Sequence, residues 1–312
     1  VHLYWWRQSF KMPDMVTLAM PRSRSVDVRM VAALAAVYLI WSSTYLAIRV
    51  AVQDMPALLM ASMRFIVAGS VMLVVARKRG APWPSARDCW RVAPIGILLF
   101  LGGNGFVAIA ETSVSSGGAA VVCATMPLWV GVLGAVTGER PTAREWASLV
   151  LGFVGVVVLM GGPALAGQPA HVVLVILSPV MWAMGSVLAR RTKDIGGVHA
   201  TLVGPGLQMF IGGLVLAVAG TLRGEALPLH ASTESWLALV YLLVFGSLIG
   251  FTAYAWLLRN ARPVVATSYA YVNPILAVLI GAALYGEPLG WTTAAANVLI
   301  VGAIMLAFTR RR

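Results

Sequence analysis

ATSYAYVNPILAVLIGAALYGEP, Ala266 to Pro288, is the stretch from which the fold can be read. It runs without a charge until Glu287, long enough for a helix to cross a bilayer core, which takes about 20 residues. Pro274 sits in its middle beside Asn273. A proline there removes one backbone donor and leaves the carbonyl of Ala270 without its helical partner. In hydrocarbon that carbonyl must be met by a neighbouring helix, a side chain or water, and Thr267, Ser268, Tyr269 and Tyr271 surround the break. GGAAVVCATMPLWVGVLGAVTGE, Gly117 to Glu139, repeats the plan with a mid-span Pro127 and a Gly-Glu end at nearly the same spacing. A chain that carries one such element twice reads as a duplicated membrane protein with a site between its halves.

Composition agrees. The 312 residues are 60% hydrophobic and only 11% charged, against about 25% charged in an average soluble domain. Cys89 and Cys123 make no disulfide framework, and the four histidines are scattered through tails and loops without metal-ligand spacing. No metal or cofactor is expected. The chain opens on Val1 rather than methionine, with Met15, Met20 and Met30 as candidate starts.

Ten apolar spans follow the first 29 residues, at about 30–50, 56–76, 92–111, 116–137, 144–162, 172–190, 201–220, 236–258, 263–285 and 289–308. The predicted organisation is a basic tail (1–29), a first five-helix half (30–162), an extracytoplasmic connector (163–171), a second five-helix half (172–309) and a basic end (310–312). The tail does not read as a cleaved signal, because the apolar run after it is too long. Of the 23 basic residues, all but Arg49, Arg64 and Arg223 fall on one side if every span crosses. That side is cytoplasmic by the positive-inside rule, so both termini are expected in the cytoplasm. The net charge of +12 is thus an orientation signal and does not call for nucleic acid.

The duplication shows at several points. IWSSTYLAIR, Ile40 to Arg49, parallels MWAMGSVLAR, Met181 to Arg190, with Trp and Arg eight residues apart in each. GFVAIA from Gly105 parallels GFTAYA from Gly250, and Met126–Pro127 parallels Asn273–Pro274. Each half has five spans, an odd number, so the second sits upside down relative to the first. The predicted fold class is an all-α integral membrane protein with ten transmembrane helices as two inverted five-helix repeats, an architecture of secondary transporters.

The WSSTYLAIR start, the MRFIVAGSVML second span and the ATSYAYVNPILAVLIGAALYGEPL run resemble the EamA family of drug/metabolite transporters, over residues 30 to 308. The resemblance implies an inner-membrane carrier, generally exporting small metabolites such as amino acids or their derivatives. Where the second half has Asn273 before its proline, the first has Met126, so the halves need not contribute equally to a site.

The candidate substrate-binding residues are Trp41, Asn104, Met126, Trp182, Tyr254, Tyr271 and Asn273, polar or aromatic groups in mid-span. Membrane tryptophan prefers the interface, so a mid-span, repeat-related pair suggests a hydrated lining. Helix packing with a local hydrogen bond is the structural alternative. Tyr38 and Tyr45 share a face with Trp41, and such aromatics can stack on an amphipathic or cationic solute or simply form a core. Asn297 and Gln208 read as interhelical hydrogen-bonding groups.

Pro127 and Pro274 are expected to be hinges, with a static kink as the alternative. Arg64 lies about 12 Å inside its span, a depth at which an arginine needs a partner. Glu111 closes span three, where a helix C-terminus disfavours a carboxylate. An Arg64–Glu111 outer gate is expected, with Arg49 as the rival cation and a static pair as the alternative. Glu111 is also the candidate proton-coupling group. No Walker motif is present, and no carboxylate lies deep in a span, which argues against an intramembrane enzyme. The expected partners are the lipid bilayer, a small-molecule substrate and protons, with the chain acting as a monomer or homodimer. An uptake carrier of the same fold is the remaining rival.

Overall fold

The computed structural model describes residues 27–114, 119, 122–159, 167–192, 195–276 and 291–308. Most of the basic tail, part of the connector, Glu287 and the basic end lie outside them. Among the described residues the secondary structure is helical throughout, with no strand. Among the described residues six helices are long and apolar enough to cross a membrane: α1 (Val28–Ala51), α2 (Ala57–Lys78), α3 (Ala86–Ala110), α6 (Pro169–Arg191), α7 (Ala200–Leu222) and α8 (Thr233–Asn260). Between and after them lie α4 (Met126–Val136), α5 (Ala143–Leu159), the broken α9 (263–276) and α10 (Trp291–Phe308).

Helix starts follow from local chemistry. Asp27 caps α1, accepting from the amides of Arg29 and Met30. Ser85 and Asp88 form a reciprocal capping box at α3, which satisfies two otherwise orphaned donors. The start of α2 has Pro56 and no side-chain cap of its own. Its free amides are met from across the bundle, where Glu225 accepts from Leu58 and Leu59 at 3.1 and 2.9 Å.

Helix pairing reproduces the duplication. Repeat mates α2 and α7 pack together, as do α5 and α10, while α1 lies on α8 and α6 on α3. Gly69 and Gly213 let the backbones of α2 and α7 touch. A Cβ on Gly69 would stand 2.5 Å from the Phe210 amide nitrogen, and one on Gly213 2.7 Å from that of Ile66. Close approach over small residues is how apolar helices associate where no hydrophobic drive exists between them. As α2 advances from Ile66 to Gly69, its contact on α7 retreats from Gly213 to Phe210, so the mates run antiparallel. On α5, Ser148 donates to the Ala303 carbonyl of α10 at 2.7 Å, and Gly155 packs against Ile300. This pair is antiparallel too, the relation an upside-down second half produces.

Two stretches depart from α geometry at matching places. Ile97–Gly105 in α3 and Leu242–Phe251 in α8 are π-helical, one running into GFVAIA and the other into GFTAYA. Wide π turns shift the register of a helix and recur at functional sites. Here each presents glycines to a tryptophan of the other half: Gly103 to Trp182 and Gly250 to Trp41.

The prolines do not break their spans where the sequence suggests. A turn at Ala124 and Thr125 precedes α4, and Pro127 falls in its first turn, where a missing N–H is no loss. In α9 the helix stops at Ala266, turns through Thr267 and Ser268, and resumes over 269–276 with Pro274 inside the second piece. The hydroxyls of Thr267 and Ser268 donate to the carbonyls of Pro263 and Val265, bonds that compete with the helical ladder.

Candidate functional site

An aromatic cluster joins the halves. Trp41 lies 4.7 Å from Tyr269, 5.1 Å from Tyr254 and 5.7 Å from Trp182, measured between ring centroids. The edge-to-face settings of Trp41 on Trp182 and on Tyr269 put positive ring edges on negative faces. Both indole N–H groups and the Tyr254 hydroxyl are satisfied. Trp41 Nε1 donates to the Gly246 carbonyl at 3.1 Å, and Trp182 Nε1 to the Tyr254 hydroxyl at 3.2 Å, which also bonds Ser186 at 2.7 Å.

Above this cluster lies a cavity of about 90 Å³. Trp41, Asn104, Met126, Trp182 and Asn273 line it, together with Tyr45, Arg64 and Tyr269. Tyr254 is fully buried behind the wall as part of the cluster. Tyr271 is not at the cavity, contrary to expectation: its hydroxyl donates to the Leu149 carbonyl at 2.9 Å and its ring covers Gly152 of α5. Residues two apart on a helix point about 200° apart, so once Tyr269 faces inward Tyr271 must face outward. Tyr269, Ala270 and Asn273 form the cavity face, a spacing of i, i+1 and i+4 that helical periodicity could have identified.

Both cavity amides donate to carbonyls, Asn104 with one N–H and Asn273 with two. Asn104 Nδ2 donates to Leu99 at 3.2 Å. With its amide oriented by the hydrogen-bond network, Asn273 donates to Tyr269 at 3.0 Å and Tyr38 at 3.3 Å. Their carbonyl oxygens remain as acceptors.

The expected Arg64–Glu111 contact is absent. Arg64 Nε donates instead to Ser247 Oγ of α8 at 2.6 Å, and the guanidinium rests on the Phe65 ring. It reaches α8 because Gly246 has no side chain; a Cβ there would stand 2.9 Å from Nη2. Glu111 is 4% exposed, and among the described residues neither of its carboxylate oxygens has a hydrogen-bond partner.

One end of the bundle is bridged by arginines. Arg190, at the end of α6, donates from Nη1 to the carbonyls of Leu258 and Ala261 at 2.6 and 2.7 Å, and from Nε to Glu139 at 3.0 Å. Beside it Arg191 donates to the Thr137 carbonyl. The terminal carbonyls of a helix lack partners of their own, so one guanidinium caps α8 while holding the segment after α4. Sequence reasoning missed Arg190 as a site residue, since it falls in a run of orientation charges. Arg49, its counterpart in the repeat, is exposed at the opposite end. Among the described residues no group of three or more His, Cys, Asp or Glu could hold a metal ion.

The model of the EamA-like transporter family matches this chain twice, over residues 28–161 and 170–309. An inner membrane transporter of Escherichia coli K12, YedA, itself uncharacterised, is 40% identical over 276 residues, 88% of this chain and 89% of that one. Protein PecM of Dickeya dadantii is 27% identical over 284 residues, 88% of this chain and 92% of PecM. A protein crystal structure with 22% identity superimposes at a TM-score of 0.73, covering 91% of this chain and 97% of the other, and shares the fold. A twice-matched family model, a repeat-paired apolar helical bundle and a cavity walled by both halves agree: this chain is a membrane protein of the EamA-like transporter family.

Proposed function

We propose that this protein is a ten-helix secondary transporter that exports a small organic metabolite, an amino acid or a derivative, across the inner membrane by alternating access. The observation that carries this reading is the unequal treatment of repeat mates: Arg190 locks one end while Arg49 is exposed at the other. In an inverted repeat, the second conformation is approximated by exchanging the roles of the two halves. Arg49 would then close its own end as Arg190 opens. With both termini cytoplasmic, as the basic residues argue, the conformation described is closed to the cytoplasm.

The turns at 124–125 and 267–268, with Pro127 and Pro274 beyond them, are the flexing points of this motion. Glu111, buried without a hydrogen-bond partner among the described residues, is the proposed proton-coupling group. Everted vesicles supplied with radiolabelled amino acids and related metabolites test the reading. Protein-dependent accumulation driven by a pH gradient is expected, and in Glu111→Gln the gradient should no longer drive it. No protein-dependent flux in either vesicle orientation would refute transport. Flux only into right-side-out vesicles would make the protein an uptake carrier, and gradient-driven flux in Glu111→Gln would end the coupling role.

A further inference from the structure

Arg64 is the one charged side chain among the described residues that line the cavity. It is 5% exposed, and no carboxylate among the described residues pairs with it. An arginine at such depth in a membrane helix is costly and ordinarily has a partner. What the protein supplies is a mount. Ser247 fixes Nε, Phe65 lies under the guanidinium, and the absent side chain of Gly246 leaves room for Nη2. All three act on the near side or edge of the group. Among the described residues Nη1 and Nη2 have no hydrogen-bond partner, and they are the two nitrogens of the fork that grips a carboxylate.

The rest of the wall suits the remainder of such a solute. Trp41, Trp182 and Phe100 offer apolar faces, while Asn273, both its N–H groups used, offers only its oxygen, and Asn104 offers its oxygen and one remaining N–H. Glu111 is not among the residues that line the wall. The cavity is thus cationic at one place, apolar over most of its surface and rich in acceptors elsewhere. Low dielectric makes a lone charge act strongly on whatever enters.

We infer that Arg64 is the specificity-determining residue of the cavity and binds the carboxylate of a solute with an apolar or aromatic body. The inference rests on the transport reading only for the fate of that solute; binding itself does not require it. The purified full chain in detergent tests it by thermal unfolding with 3-phenylpropionate, its amide, phenethylamine and sodium chloride. The carboxylate should raise Tm in a saturable way, with the amide, the amine and chloride giving none of this shift. Arg64→Gln should weaken 3-phenylpropionate at least tenfold, and Arg64→Lys, a charge without the fork, by less. If Arg64→Gln does not fold, Ser247→Ala, which frees Nε, should still weaken the carboxylate severalfold.

Equal shifts from carboxylate and amide, no shift from the carboxylate, an equal shift from chloride, or unchanged affinity in the folded variants would overturn the assignment. Flux assays on the same preparations separate it from the transport reading. Carboxylate binding without flux sinks transport and leaves Arg64 its role; flux indifferent to the carboxylate sinks the role alone.

Discussion

Trp41 and Trp182, equivalent positions of the two halves, meet edge to face with their planes at 85°. A contact between repeat mates places them beside the axis that relates the halves, at the floor of the cavity. Each also covers a glycine in the π-helical stretch of the opposite half. The floor is therefore made by both halves at once, and any rocking of one against the other must disturb it.

Trp41→Phe removes the bond to the Gly246 carbonyl while keeping an aromatic on the wall. We expect a severalfold rise in transport KM with the protein retained in the membrane. Tyr271→Phe serves as the counterpart away from the cavity. Loss of its bond to Leu149 should lower stability by about 1 kcal/mol and leave KM unchanged. An equal KM rise in both would mean that the cavity wall has been drawn wrongly.

Arg190→Gln should release the bridged end. Ser186→Cys, in a chain with Cys89 and Cys123 replaced, reports the change, because Ser186 is buried behind Tyr254. An impermeant thiol reagent should label it several times faster in everted vesicles once Arg190 is replaced. The same rate with and without Arg190 would show that the tie does not hold this end shut.

Gly69→Val probes the α2–α7 contact. Its Cβ would stand 2.5 Å from the Phe210 amide nitrogen and 2.6 Å from the Gly206 carbonyl oxygen, and backbone cannot step aside as a flexible side chain can. Overpacking of this kind costs about 1–3 kcal/mol or more. A clear fall in the thermal midpoint is expected, whereas an unchanged midpoint would contradict the packing of the two mates.

Cys89 tests orientation. It lies between Arg87 and Arg91, near the start of α3, and is partly accessible. A membrane-impermeant thiol reagent added to intact cells should leave it unlabelled, and everted vesicles should label it. Rapid labelling from outside would invert the topology.

What can be read along a helix was legible in the sequence. Span length and apolarity are local properties, and the duplication persists in paired words such as IWSSTYLAIR and MWAMGSVLAR. Together they settle a helical, twice-built membrane protein of this family. Trp41, Asn104, Met126, Trp182 and Asn273 could be placed near the middle because depth is counted along the chain. What lies around a helix was decided only by packing. Tyr271 turned away because Tyr269 faced in, and Arg64 passed over Glu111 for Ser247 because Gly246 opened the way to α8. The π turns of α3 and α8 have no signature beyond their glycines, yet they seat both tryptophans. Which end carries the arginine bridge was beyond the sequence for a physical reason: Arg49 and Arg190 stand at equivalent positions in the two halves, and only a tertiary arrangement that breaks the symmetry can give one of them these carbonyl partners and expose the other.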